Sequence, residues 1–157
     1  MSSSNLLSIG FALGLGTALS AHRVGQAVKW IVIVFGVGLI FAGLFLILSI
    51  IIFGEYPTDY VFYYAHTIAS FIAFLTIIVA QFLTWQALKK SKKNWGLYPL
   101  YSLFSGLLSI IMLIVFFFTF SSLYQGLTER LFVAIPLIWI EVTGLKLYSL
   151  IKKESSI

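Results

Sequence analysis

From Trp30 to Phe53 the chain runs for 24 residues without a charged side chain. That stretch constrains everything else. About 20 apolar residues suffice to cross a hydrocarbon core of about 30 Å as an α-helix, and a helix is what keeps every backbone polar group paired inside lipid. Further apolar runs extend from Tyr60 to Leu88, Leu97 to Tyr124 and Leu131 to Leu150, and a shorter one from Leu6 to Ala21. With 61% hydrophobic and 10% charged residues there is too little polar surface to coat a water-soluble domain. The expected fold is all-α: a single integral membrane bundle of five transmembrane helices, at about 6–21, 30–53, 60–88, 97–124 and 131–150.

The first run resembles a secretory signal in length, but its charges stand in the wrong order. Met1 to Asn5 carries no Lys or Arg, whereas Arg23 and Lys29 follow the run. It therefore reads as a span, with Gly10 and Gly14 as a GxxxG pair where another helix, including one from a second copy, could approach closely. The polar segments between spans are short: His22 to Lys29, Gly54 to Asp59, Lys89 to Lys93 and Gln125 to Arg130. Nine of the ten basic residues fall in the first and third of these and in the tail from Lys146, while Glu55 and Asp59 fall in the second. By the positive-inside rule the basic segments are cytoplasmic. Five spans then place the N-terminus outside and the C-terminus in the cytoplasm of a cell-membrane protein.

The same clusters explain the net charge of +5 without nucleic acid, since no soluble basic face exists to bind it. Absence of Cys removes disulfides, thiolate nucleophiles and thiol-redox chemistry. No cofactor is expected. Lys146 lies too near the end of its helix for a retinal linkage, and the Trp- and Pro-rich loops of the five-helix porphyrin and cholesterol translocators are missing.

Polar residues concentrate in one place. Asp59, Tyr63, His66 and Ser70 follow one another at offsets of four, three and four, so on a helix they form one stripe. Tyr60, Tyr63, Tyr64 and Trp85 suit interfacial belts, and Pro57 suits a helix entrance. Glu141, centred in a helix from Leu131 to Leu150, falls about 15 Å deep, where a carboxylate must be neutral, paired or turned into the bundle. His66 falls about 9 Å deep, and helix tilt would let the two approach. Glu129 and Arg130 belong to the outer surface, where Arg130 is a candidate ion-pair partner for Asp59. Small residues on the fourth span, Ser102, Ser105, Gly106 and Ser109, form a packing face.

These positions support two functional readings besides a purely structural or assembly role. In one, Asp59, Tyr63, His66, Ser70 and Glu141 line an outward-facing cavity for a lipid or small apolar ligand. In the alternative, Asp59, His66 and a Glu hold a metal that activates water for hydrolysis, although Asp-x6-His matches no metalloprotease pattern. Binding or assembly is favoured over catalysis, and no metal is assigned.

The segments Pro57-Thr58-Asp59, His66 with Ala69-Ser70, Tyr101-Ser102-Leu103-Phe104-Ser105-Gly106-Leu107 and Gly126-Leu127-Thr128-Glu129-Arg130-Leu131, with Trp139 downstream, resemble the prokaryotic multi-pass membrane family catalogued as domain of unknown function 998. The resemblance runs from about Asn5 to Tyr148. It implies the membrane fold and no particular reaction. Members usually carry an additional initial helix and polar loop, without counterpart here.

Overall fold

The computed structural model describes residues 23–53, 60–91, 95–120 and 122–154. The expected span 6–21, with its GxxxG pair, and the turn carrying Pro57 and Asp59 lie outside these residues. The described chain forms four helices: α1 (Arg23–Phe53), α2 (Tyr60–Lys89), α3 (Tyr98–Thr119) and α4 (Gln125–Glu154). Each is long and apolar enough to cross a membrane. The protein is an all-α, multi-pass membrane protein.

Helix boundaries depart from expectation at the start of α1, at the α3–α4 turn and at the end of α4, which runs to Glu154. α1 begins at Arg23, not Trp30, so the polar segment up to Lys29 is helical. Gln26, Ala27 and Lys29 are good helix formers, and leaving the membrane does not oblige a helix to stop. Likewise α3 stops at Thr119, not Tyr124, and α4 begins at Gln125, not Leu131. The turn is built by Ser122, whose amide donates to the Thr119 carbonyl at 2.9 Å and whose Oγ accepts from the Tyr124 amide at 3.2 Å. Thr128 lies inside α4, and its hydroxyl pairs with that of Thr119 at 2.7 Å across the turn. The α2–α3 connection turns at Gly96, whose φ of +60° is the left-handed conformation that glycine adopts without a Cβ penalty.

Consecutive helices pack antiparallel. α1 lies along α2, α2 against α3, α3 against α4, and α2 meets α4 over a short stretch only. The α1–α2 contact is close because Gly38 has no side chain: a Cβ there would stand 2.9 Å from that of Ala73. Phe35 of α1 meets Phe74 of α2 edge-on, Phe74 meets Phe132 of α4 at 4.6 Å, and Phe132 stacks on Phe116 of α3 at 6.0 Å. This chain of rings joins all four helices. The small face of α3 is buried as expected, and Gly106 admits the Phe82 ring, which a Cβ would meet at 3.0 Å.

Candidate functional site

The largest concentration of buried polar chemistry lies between α2, α3 and α4, toward the end of the bundle that carries the basic residues. Tyr98 opens α3 beneath the turn that contains Trp95, and its hydroxyl donates to Thr143 Oγ1 on α4. Thr143 donates in turn to the Trp139 carbonyl one turn earlier. The Trp139 indole Nε1–H donates to Ser102 Oγ at 2.9 Å, and Ser102 donates to the backbone carbonyl of Gln81 on α2 at 2.8 Å. Gln81 Nε2 donates to Ser105 Oγ at 3.1 Å. Gln81, Ser102, Trp139 and Thr143 are fully shielded. In lipid these bonds have no water to compete with them, yet each is worth only about 0.6 kcal/mol on average, because the unfolded chain in the membrane also finds partners.

The network is incomplete. Gln81 Oε1, Thr84 Oγ1 and Ser109 Oγ along the same seam are buried without a partner, as is Ser49 Oγ on α1. An amide oxygen cannot satisfy itself on its own helix as a hydroxyl can, so Gln81 Oε1 is the most costly of these, at about 1–3 kcal/mol.

The residues expected to form a site are dispersed. His66 is half-buried, and its Nδ1–H donates to the Ala42 carbonyl of α1 at 2.9 Å, so it clips the α1–α2 hairpin together. Ser70 is half-buried on α2, Tyr63 is exposed with its ring against Tyr64 at 5.7 Å, and Asp59 lies outside the described residues. Glu129 and Arg130 are exposed near the start of α4.

Glu141 is exposed as well. The Tyr98–Thr143 and Trp139–Ser102 bonds set the register of α4 against α3. Glu141 therefore lies within about 3 Å of the level of Tyr98, where α3 begins. Two residues beyond Trp139 it is also rotated by about 200°, away from α3. His66 is 15 residues from Gln81, or about 22 Å along α2, toward the opposite end. Glu141 and His66 consequently do not meet. Among the described residues no three His, Asp or Glu side chains converge on a point where a metal could sit.

Sequence reasoning passed over Gln81, Thr84, Tyr98, Trp139 and Thr143. A signal was present: Gln81 and Thr84 stand three apart inside an otherwise apolar run, opposite a helix whose own small hydroxyls recur every three or four residues.

No curated protein and no solved structure matches the chain. The family model described as "Protein of unknown function (DUF998)" matches residues 4–146, and the chain, with its buried polar seam and apolar helices, belongs to that family.

Proposed function

We propose that this protein binds a lipid or small amphiphilic molecule within the membrane, without catalysing a reaction on it, and that the ligand's polar group meets the α2–α3–α4 seam. The observation that carries this reading is the Gln81 amide, fully shielded and with its oxygen unpartnered. A group buried at that cost suits a site that acquires a partner on binding. The topology that accompanies it has five spans, with residues 6–21 as the first, the N-terminus outside and the C-terminus in the cytoplasm of the cell membrane. The reading is tested by extracting the small molecules retained by the purified protein and by Gln81→Leu, and identifying them by mass spectrometry. A species retained by the wild type and reduced about tenfold in the variant supports binding at the seam. The same complement in both assigns the network to helix packing alone.

A second reading keeps the ligand at the outer mouth, on the stripe of Asp59, Tyr63, His66 and Ser70. It is favoured by the His66 bond to Ala42, in which Nδ1 is the donor, leaving Nε2 to meet a ligand. Retention lost in His66→Phe and kept in Gln81→Leu selects this reading. Glu141 has no part in it, and the hydrolytic alternative from Asp59, His66 and a Glu is left without that carboxylate.

A further inference from the structure

A second place of the same chemical kind lies deeper in the seam. Pro136 stands inside α4, fully shielded, and having no N–H it denies the Phe132 carbonyl its usual intrahelical donor. Register brings Phe132 to the level of Ser109. Phe132 precedes Trp139 by seven residues and Ser109 follows Ser102 by seven, on antiparallel helices joined by the Trp139–Ser102 bond. Both therefore lie about 10 Å from that bond in the same direction. Seven residues are close to two turns, so both also keep the orientation of Trp139 and Ser102 toward the α3–α4 interface. Ser109 is fully shielded, and its Oγ has no partner.

The N–H and phenol donors of the seam are already committed, while the Thr84 and Ser109 hydroxyls can each donate or accept. Tyr98 donates to Thr143, the Trp139 indole to Ser102, and Gln81 Nε2 to Ser105. What is left unpartnered among these side chains is an amide oxygen and two hydroxyls, and the Phe132 carbonyl lacks its usual intrahelical amide. None of these carries a positive charge, and an anion desolvated among them would lack compensation.

We propose that the seam accepts a hydrogen-bond donor, a hydroxyl or an ammonium group, and discriminates against a carboxylate. Gln81 Oε1 is one acceptor, and the Phe132 carbonyl, about 10 Å deeper at the level of Ser109, is a second. This rests on the reading of the seam as a binding site. It adds the class of ligand.

The probes are decanol, decylamine and decanoate, which share a chain length and differ in the head group, added to the full-length protein in maltoside micelles. Thermal unfolding is the readout. Decanol or decylamine is expected to raise the midpoint by about 2 °C or more and decanoate to leave it unchanged. Gln81→Leu should abolish the response. Pro136→Ala, which restores the N–H without removing a polar side chain, should weaken it, and serves where the first variant does not fold. Decanoate stabilising as strongly as decanol, with the response still lost in a variant, overturns the donor preference and leaves binding standing. No response to any probe, or equal responses in wild type and both variants, overturns the binding reading itself.

Discussion

The Trp139 indole of α4 donates to the Ser102 hydroxyl of α3 at 2.9 Å, and both residues are fully shielded. Ser102 donates its own O–H to the Gln81 carbonyl, so one hydroxyl joins three helices. Trp139→Phe keeps most of the ring and removes the donor. Together with Ser102→Ala and the double variant it forms a cycle in which the coupling energy should be about 0.6 kcal/mol and at most about 1.7 kcal/mol. Reversible unfolding in mixed micelles measures it, and additivity of the two variants would show that the bond contributes nothing.

Gly38 and Gly43 offer a matched pair on α1. A Cβ at Gly38 would clash with Ala73, whereas one at Gly43 meets nothing within 4 Å. Gly38→Ala should destabilise by about 1–3 kcal/mol through overpacking. Gly43→Ala should stabilise slightly or leave stability unchanged, since it removes only a glycine from a helix interior. Ala73→Gly should recover part of the Gly38→Ala loss, and failure to do so would place the close approach elsewhere.

His66 ties α2 to α1 through a single bond to a backbone carbonyl. His66→Leu should cost about 1 kcal/mol, the net worth of one hydrogen bond with some packing retained. The loss should appear as earlier cleavage in the α1–α2 hairpin during limited proteolysis, with the α3–α4 pair unaffected.

Glu141 should tolerate neutralisation. At the level of Tyr98 and on an exposed face it needs no partner, so Glu141→Gln should change stability by less than about 0.5 kcal/mol. A loss of several kcal/mol would favour the mid-bilayer placement expected from the sequence.

The absence of Cys from the chain makes topology directly measurable. Single variants Ser91→Cys, Ile157→Cys and Asp59→Cys can be treated in intact cells with a membrane-impermeant maleimide. Only Asp59→Cys should be labelled if the basic segments are cytoplasmic. Labelling of Ile157→Cys with Ser91→Cys protected would put the two on opposite sides and require a different number of spans between them.

Much of the fold was legible because membrane helices advertise themselves through length and apolarity. The run from Tyr60 to Leu88 coincides with α2 to within a residue, and the run after Leu97 marks the start of α3. Where spans ended was less legible. Gln125 to Arg130 looks like a loop by polarity, yet Ser122 and Thr119 close the turn earlier and leave these residues helical.

By itself the sequence determined the solvent of this protein, its helices and the end that gathers the positive charge, because each depends on local composition summed along the chain. Only the tertiary structure decided which polar residues matter together. His66 is drawn to α1, Glu141 is turned outward, and Gln81, Ser102 and Trp139 are joined across three helices. Such meetings depend on the register between helices, which side-chain bonds and close-packed glycines fix. Periodicity within one helix carries no information about the residue it will face on another.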